Sequence, residues 1–438
     1  MTFNNNPGPK GPGIFSFITL GCKSNQYDSA AMAAELELAG LSRGSVSEAH
    51  VIVVNTCMVT GPTEAQCRKA IRQARRANAG AKLVVSGCMT SGARETIETM
   101  EEVDLVIEPS EKGMLPGLLG IAGSVGWWDW PEDPAVDLGD RDRGFLKLQD
   151  GCNANCTYCV VPLARGRSRS LKPDLALGAV GRLMDRGVSE VVLSGIHLGQ
   201  YGADLQPVSG LEDLLARLLE NGLPGRLRLS SIEPLEITPR LVETMANAGG
   251  RRICRHIHIP LQSGSNRVLK EMGRPYLGAH FADAVRLLRN SIPGIGIGCD
   301  VICGFPGESE EDFNKTHDLV EKLQIPFIHA FPFSPRAGTK AAAVNDDVPH
   351  QVKKKRVLLM RELAQTNWHL FASSFVGEVL QTAIESTRDD FGRLLGLSDN
   401  YLRVAVRTPH EGVIPGRIVD VLIERTDGDI LEGRLMDS

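Results

Sequence analysis

Three cysteines lie within eight residues in the run Cys152-Asn153-Ala154-Asn155-Cys156-Thr157-Tyr158-Cys159. Three thiolates on one short loop can hold three irons of a cubane iron–sulfur cluster and leave the fourth iron open to a ligand that is not protein. Soft thiolates favour iron–sulfur or zinc over hard ions. A structural zinc needs a fourth Cys or His, and the next dozen residues hold none, so zinc would require a distant ligand. The spacing therefore favours an open iron–sulfur cluster over cysteines that only pack.

Three further cysteines each follow a short apolar run that predicts a strand. Cys22 follows residues 14–20, Cys57 follows residues 51–54, and Cys88 follows residues 83–85. Open parallel sheets bind their ligands at the carboxyl ends of the strands, so the fold could gather these three side chains. Three unrelated buried cysteines are the alternative.

The other four cysteines, Cys67, Cys254, Cys299 and Cys303, are interpreted as packing residues. Residues 298–304 form one apolar run that predicts a buried strand. Strand alternation would place Cys299 and Cys303 on the same face of it. His256 and His258 resemble a metal-binding pair, but no cluster of carboxylates accompanies them, which favours histidines that pack in the core or beside a cluster.

Strands and helices must position these cysteines and histidines, and the sequence pattern predicts an α/β fold. A helix over residues 29–39 and the three strands above indicate an open, Rossmann-like N-terminal domain. Six later strands, each followed by a helical pattern, indicate a partial (β/α)6 barrel. They are predicted at residues 145–148, 190–194, 226–230, 255–259, 296–301 and 327–331. A helix over residues 350–371 and four short runs after it predict a small β-barrel.

The predicted domain boundaries follow from these elements. They are a disordered tail at 1–13, an N-terminal domain at 14–123, a connection at 124–143 containing Trp127, Trp128 and Trp130, a barrel at 144–371 and a C-terminal β-barrel at 374–438.

Composition limits the class of protein. At 438 residues with 42% hydrophobic and 23% charged residues, the chain should fold into two to four globular domains. The net charge of −5 means that any nucleic-acid contact must come from a local patch. Ten cysteines are too few for a disulfide scaffold, and neither a signal peptide nor a membrane segment is expected, which indicates the reducing cytoplasm.

The cysteine run and the residues after it, Val160-Val161-Pro162-Leu163-Ala164-Arg165-Gly166-Arg167-Ser168-Arg169-Ser170, resemble the radical S-adenosylmethionine (SAM) enzymes and, within them, the methylthiotransferases. The resemblance extends over nearly the whole chain. It implies SAM and two [4Fe-4S] clusters, one held by Cys152, Cys156 and Cys159, where SAM is cleaved to a 5′-deoxyadenosyl radical. Cys22, Cys57 and Cys88 would hold the auxiliary cluster that serves in sulfur insertion.

The resemblance also implies contacts for the bound cofactor. Tyr158 would lie near the adenine, Gly195 near the methionyl amine, and Gly304 to Gly307 near the adenine or ribose. Glu233 and Arg165 or Arg167 are candidates for the polar groups of the cofactor, and a turn or capping carboxylate is the alternative for Glu233.

Basic residues suggest where RNA binds. Residues 226–274 hold nine Lys and Arg against four Asp and Glu, and Lys353 to Arg356 are predicted on an exposed helix face. Both segments would neutralise phosphates, and a solvated basic surface is the alternative. The C-terminal β-barrel resembles the tRNA-binding TRAM domain.

Three branches of the family share these parts. Residues 19–27, 145–170, 195–199 and 331–336 are most similar to the branch that acts on N6-threonylcarbamoyladenosine, the nucleoside just 3′ of the tRNA anticodon. The partners implied are the anticodon stem-loop and a low-potential electron donor such as flavodoxin or ferredoxin. The alternatives are action on isopentenyladenosine of tRNA, action on a ribosomal-protein aspartate, or a non-catalytic iron–sulfur or RNA-binding protein.

Overall fold

The computed structural model describes residues 13–59, 61–121, 130–131, 133–136, 142–248, 252–407 and 415–436. The predicted tail up to residue 12, Trp127, Trp128 and much of the predicted connection lie outside these residues. The chain divides into two compact units. Unit 1 comprises residues 1–139, 149–171 and 334–343, and unit 2 comprises residues 140–148, 172–333 and 344–438.

Unit 1 is built on a parallel sheet with the strand order β2-β1-β3-β4-β5. Its strands are β1 (Ile14–Thr19), β2 (Ser42–Arg43), β3 (Val51–Thr56), β4 (Lys82–Gly87) and β5 (Leu105–Val106). Its first five helices are α1 (Lys23–Leu38), α2 (Gly61–Ala77), α3 (Cys88–Gly92), α4 (Arg94–Glu98) and α5 (Leu115–Leu118), with a 3-10 helix at Pro109–Met114. All six residues of β3 are buried, as expected of a central parallel strand that is covered on both faces.

The N-terminal strands confirm the sequence prediction, and the first helix corrects it. Helix α1 begins at Lys23, directly after Cys22, whereas the sequence pattern predicted a start near Ser29. The first turns of the helix lack the apolar periodicity that predicts a helix. Their buried positions include the polar residues Ser24, Asn25 and Asp28.

Unit 1 also contains the segment that carries the cysteine run. The end of β6 (Gly144–Asp150) pairs antiparallel with β7 (Arg169–Ser170), and α6 (Val161–Arg165) lies between them in the chain. The run Cys152 to Cys159 is therefore the loop that leaves the carboxyl end of β6.

Unit 2 contains the open barrel. Five strands follow β6, and the parallel bridges Leu227↔Ile253 and Ser231↔His258 connect the two halves of this curved sheet. They are β8 (Glu190–Gly195), β9 (Arg226–Leu229), β10 (His256–His258), β11 (Gly296–Cys303) and β12 (Phe327–Pro332). The helices between and after them are α7 (Pro173–Asp185), α8 (Leu211–Glu220), α9 (Pro239–Ala246), α10 (Asn266–Glu271), α11 (Gly278–Ser291) and α12 (Glu310–Lys322), with 3-10 turns at Leu198–Gln200, Pro234–Glu236 and, in unit 1, Lys340–Ala343. All six predicted strands are present, so the prediction of a partial barrel is confirmed.

The chain ends in a closed β-barrel that follows the long helix α13 (His350–Ser373). The strand order is β13-β14-β15-β17-β16. The strands are β13 (Val379–Arg388), β14 (Leu394–Ser398), β15 (Arg403–Arg407), β16 (Ile418–Asp427) and β17 (Ile430–Leu435). The sequence predicted four of these strands and missed β17, because only the turn Gly428-Asp429 separates it from β16.

Buried ion pairs fasten this β-barrel to the open barrel. Glu190 is fully buried and pairs with Arg226 and Arg228 at 2.7 Å each. The same guanidinium groups donate to backbone carbonyls of the β-barrel, including that of Leu397 at 3.0 Å and that of Ser398 at 2.9 Å. Burial alone would raise the pKa of Glu190. The positive charges of Arg228 and Arg226 outweigh this effect and hold that pKa well below its usual range.

Part of the basic segment 226–274 is therefore not the surface patch that the sequence predicted, although Arg240 and Arg267 are exposed. Arg226 and Arg228 are buried in these pairs, and Arg274 binds Glu233 instead of facing solvent. Composition could not show this, because a count of charges does not show which charges meet: Glu233 lies within the segment, whereas Glu190 lies outside it.

Half of the run Lys353 to Arg356 is buried, which corrects the prediction of an exposed face. Lys353 pairs with Asp346 at 2.5 Å, and Arg356 pairs with Glu308 at 2.6 Å. Only Lys354 and Lys355 are exposed. A helix repeats every 3.6 residues, so four consecutive charges cannot all share one face.

Among the described residues, no helix combines the length and the apolar character that crossing a bilayer requires.

We expect Glu190→Gln to lower the melting temperature of unit 2 by about 10 °C. Removing one partner of a buried ion pair costs about 3 kcal/mol of stability. Each kcal/mol lowers the melting temperature by about 3 °C. Scanning calorimetry measures this. Asp174→Asn is the matched control, since its pair with Arg217 is largely exposed and should contribute below about 1 kcal/mol. Because the pKa of Glu190 is lowered on folding, its contribution is complete above the unfolded value of about 4.3 and is lost only as the pH falls below it. Equal shifts of the melting temperature in the two variants would show that the buried pair contributes no more than the exposed one.

Candidate functional site

Cys22, Cys57 and Cys88, here called the N-terminal triad, lie together at the carboxyl edge of the unit 1 sheet. Cys22 precedes α1, Cys57 follows β3, and Cys88 begins α3. Neighbouring parallel strands end at this edge, so the fold gathers three cysteines that are distant in sequence, as the sequence predicted.

Two glycines allow this close approach. Gly21 has a φ of +101°, and a Cβ at this position would lie 2.6 Å from Cys57 Cβ. Gly87 has a φ of +98°, and its Cβ would lie 2.3 Å from the Thr56 carbonyl oxygen. Side chains rarely adopt this conformation and would not fit here, so glycine sits directly before Cys22 and Cys88.

Burial acts on two of the three thiols of the N-terminal triad. Burial raises the pKa of the Cys57 thiol to about 12, and the nearby Cys88 and Cys22 add to this rise. Burial also raises the pKa of Cys88, while the charge of Arg165 opposes this. Buried thiols of this kind become thiolates when a cationic metal centre compensates their charge. All three are free thiols, so the donor set fits an iron–sulfur cluster.

Cys152, Cys156 and Cys159, here called the loop triad, are half-buried cysteines outside any disulfide on the loop after β6. The loop is held to the segment that follows it, because Cys152 N donates to the Gly166 carbonyl at 3.0 Å. A Cβ at Gly151 would lie 2.0 Å from the Arg167 carbonyl oxygen. The thiols remain accessible while the backbone is fixed, which fits a cluster with an open iron.

The structure places the other predicted residues of unit 1 close to these triads. Tyr158 is half-buried within the loop, and Arg167 is exposed. Arg165 is buried, and its guanidinium donates to Asp150, Asn25 and Asp28.

The remaining predicted residues belong to unit 2. Gly195 ends β8, Glu233 follows β9, and Gly304 and Gly307 follow β11, so all four lie at the carboxyl ends of strands. Burial raises the pKa of Glu233, and Arg274, whose Nη2 donates to both carboxylate oxygens, opposes this rise.

The loop after β11 is fixed by charged groups. Gly304 N donates to Glu308 Oε2 at 2.6 Å, and the same oxygen accepts from Arg356. A Cβ at Gly304 would lie 2.4 Å from Lys353 Cγ, so glycine makes room for that side chain.

Sequence reasoning missed the buried polar residues around the triads. Asn25, Asp28, Lys112 and Asp150 are each at most 4% exposed, and Lys112 pairs with Asp28. The sequence signal that could have found them is the presence of polar residues, Asn25 and Asp28, at buried positions of a helix. A second signal is Asp150 at the end of a buried strand.

The cysteines interpreted as packing residues are buried, as expected. Cys299 and Cys303 lie on the same face of β11. Cys67 packs beside the N-terminal triad and hydrogen-bonds the backbone of Cys57 in both directions at 3.3 Å. His256 is stacked on Tyr401, with ring centroids 4.0 Å apart.

Two known families and several known proteins are similar to this chain. The profile described as "Radical SAM superfamily" matches residues 146–320, and the profile described as "Uncharacterized protein family UPF0004" matches residues 15–108. Threonylcarbamoyladenosine tRNA methylthiotransferase MtaB of Bacillus subtilis is 34% identical over 96% of this chain and 96% of its own. This chain belongs to the radical SAM methylthiotransferase family.

Other relatives of the family match over a similar length. A protein of Thermotoga maritima with the same name as the Bacillus relative is 36% identical over 79% of this chain and 81% of its own. The tRNA-2-methylthio-N(6)-dimethylallyladenosine synthase of Moorella thermoacetica is 34% identical over 97% of this chain and 98% of its own. As a member of this family, the chain is a radical SAM enzyme, and the superfamily implies SAM and a [4Fe-4S] cluster as cofactors.

Solved structures confirm the fold. The radical SAM methyltransferase TsrM of Kitasatospora setae superposes with a TM-score of 0.54 at 17% identity, over 76% of this chain and 77% of its own. The cobalamin-dependent radical SAM enzyme OxsB gives a TM-score of 0.52 at 11% identity, over 81% of this chain and 56% of its own. At these identities the likeness concerns the fold alone.

We expect Gly21→Ala to destabilise unit 1 more than Gly40→Ala does. Both residues have a positive φ, so each alanine costs about 1–2 kcal/mol in backbone strain. Only the alanine at Gly21 would collide with Cys57, whereas a Cβ at Gly40 meets nothing within 4 Å. Thermal unfolding of the two variants measures the difference, and equal melting temperatures would show that the approach of Gly21 to Cys57 is not tight.

Proposed function

We propose that this radical SAM methylthiotransferase converts N6-threonylcarbamoyladenosine, just 3′ of the tRNA anticodon, to its 2-methylthio derivative. The observation that carries the methylthiotransferase chemistry is the presence of two triads of cysteines, none of them in a disulfide, within one compact unit. The relatives named for this reaction, which match over most of the chain, support the choice of substrate.

Isopentenyladenosine of tRNA is the second candidate substrate. It is supported by the Moorella relative, whose name denotes a 2-methylthio-N(6)-dimethylallyladenosine synthase and whose identity and coverage are similar. Both reactions place the methylthio group on carbon 2 of a modified adenine, so the cysteines serve either substrate in the same way.

We assign the first cluster to the loop triad. Cys152, Cys156 and Cys159 would hold a [4Fe-4S] cluster, which supplies the electron for reductive cleavage of SAM to methionine and a 5′-deoxyadenosyl radical. A radical is required because the aromatic C–H at carbon 2 is not acidic enough for a side-chain base. Tyr158 would contact the adenine of SAM, since it directly precedes the third ligand.

We assign the auxiliary [4Fe-4S] cluster, which would serve in sulfur insertion while a second SAM molecule supplies the methyl group, to the N-terminal triad. Cys22, Cys57 and Cys88 offer three soft donors, and Gly21 and Gly87 leave the space that their approach requires. The module that carries them is the proposed N-terminal domain, residues 14–123.

The strand ends of the open barrel would bind SAM. Gly195 would approach the methionyl amine, and Gly304 and Gly307 would approach the adenine or ribose. Glu233 would bind the polar groups of SAM, since its carboxylate is held in place by Arg274. Arg167 is exposed and free of the buried network that holds Arg165, so it is the better candidate of the two for this contact.

The anticodon stem-loop would bind through the C-terminal β-barrel. Arg403, Arg407, Arg425 and Arg434 each expose more than half of their side chains there, although Glu424 and Glu432 neutralise part of this charge. The target base would be extruded from the loop. A tRNA substrate and a low-potential donor such as flavodoxin or ferredoxin place the reaction in the cytoplasm.

The substrate assignment predicts a specific loss of one nucleoside. Total tRNA of a strain lacking this gene should lack 2-methylthio-N6-threonylcarbamoyladenosine by mass spectrometry, and the wild-type gene should restore it. Cys156→Ala should restore nothing, because it removes a ligand of the first cluster. Cys299→Ala is the matched control and should restore the product, since Cys299 is buried on β11, away from both triads in sequence.

Other outcomes would change the assignment. Loss of the isopentenyl derivative instead would move the substrate and keep the chemistry. No change in either nucleoside would exclude tRNA as substrate and favour the ribosomal-protein alternative.

The cluster assignment predicts the iron content of two triple variants. Replacing all three cysteines of either triad by alanine should halve the iron bound after anaerobic reconstitution. The N-terminal variant should still cleave SAM to 5′-deoxyadenosine and form no methylthio product, whereas the loop variant should lose both activities. Full iron content in the N-terminal variant would show that Cys22, Cys57 and Cys88 hold no cluster.

A further inference from the structure

A single buried arginine connects the two triads within unit 1. Arg165 ends α6, shortly after the loop triad, and is 4% exposed. Its Nη1 donates to both carboxylate oxygens of Asp150, at 2.9 and 3.0 Å. Its Nη2 donates to Asn25 Oδ1 at 2.5 Å and to Asp28 Oδ2 at 3.0 Å.

On one side, this arginine fixes the start of the loop triad. Asp150 is the last residue of β6, and its Oδ1 also accepts from Gly151 N at 2.8 Å. The carboxylate thus joins Arg165 to the backbone that leads directly into Cys152.

On the other side, Asn25 contacts the surroundings of all three cysteines of the N-terminal triad. Its Nδ2 donates to the Leu20 carbonyl at 2.9 Å, shortly before Cys22, and to the Thr56 carbonyl at 2.8 Å, directly before Cys57. Its Oδ1, which accepts from Arg165, lies 4.0 Å from Cys88 Sγ.

Geometry rather than charge is the particular contribution of Arg165. Lys112 also pairs with Asp28, so two cations face the two carboxylates of Asp28 and Asp150. A planar guanidinium directs its donors along fixed lines, whereas a lysine ammonium is a point charge on a flexible stem. Only the guanidinium can hold Asp150 and Asn25 at once in a fixed relative position.

We propose that Arg165 is a positioning residue that sets the separation and orientation of the two clusters, instead of a contact for the cofactor. This inference rests on the proposed function, because it requires a cluster on each triad. The group that abstracts hydrogen and the group that delivers sulfur must reach the same carbon, so a shift between the triads uncouples SAM cleavage from sulfur insertion.

The test compares Arg165→Lys with the wild-type protein, both as full chains with reconstituted clusters. Arg165→Lys keeps the positive charge and removes the planar guanidinium with its fixed donor directions. The magnetic interaction between the two reduced clusters, seen in the electron paramagnetic resonance spectrum, should change. The ratio of 5′-deoxyadenosine to methylthiolated product should rise about tenfold or more, since a misplacement of about 1 Å can cost about 100-fold.

Two further variants make the test specific. Arg75→Lys is the matched control, because Arg75 also bonds several carbonyls and Asp104 in unit 1 but contacts no residue flanking either triad. It should leave both readouts unchanged. Asp150→Asn keeps the acceptor oxygen and weakens the attraction, so it should shift both readouts in the same direction as Arg165→Lys, by less.

The outcomes separate this inference from the proposed function. An unchanged spectrum and ratio in Arg165→Lys and Asp150→Asn, with both clusters present, would overturn the role of Arg165 and leave the function intact. A changed cluster interaction in Arg165→Lys, combined with a wild-type protein that forms no methylthio product, would support the role of Arg165 and refute the function.

Discussion

The convergence of parallel strand ends is the constraint on which the site depends. A strand that runs parallel to its neighbour delivers its last residue to the same edge of the sheet. This is how β1, β3 and β4 bring Cys22, Cys57 and Cys88 together, although no two of them are close in sequence. The loop triad does not depend on the convergence of strands, because its sequence spacing alone places three thiols on one loop. One site is therefore made by topology and the other by local sequence.

This difference explains what the sequence revealed. The strand positions and the loop triad were predictable, since apolar runs and cysteine spacing are local signals. The family resemblance then suggested an auxiliary cluster on the N-terminal triad, a role that spacing alone had left open. The start of α1 and strand β17 were not predicted, because the tertiary structure buries polar residues in the first case and only a two-residue turn precedes the strand in the second.

Charged residues were the least predictable part. The count of basic residues between 226 and 274 indicated a surface patch, yet Arg226 and Arg228 are buried against Glu190, which lies far upstream in the sequence. The resemblance made Arg165 one of two candidate arginines for the cofactor, and no local signal showed that its guanidinium is directed at Asp150 and Asn25. The role of a charge depends on the distance to its counter-charge, and this distance is a property of the fold rather than of composition.

The two buried arginine networks solve a similar physical problem. Apolar contacts resist separation but tolerate sliding, whereas a guanidinium loses its hydrogen bonds when its acceptors move by a fraction of an ångström. Burial raises the cost of an unpaired partner and so strengthens the preference for one arrangement. The buried hydrogen bonds of Arg228 fix the β-barrel on the open barrel. In the role proposed for Arg165, its hydrogen bonds fix one triad against the other. The proposed reaction, which brings a radical and a sulfur donor to one carbon, would need this directional fixation more than it would need additional stability.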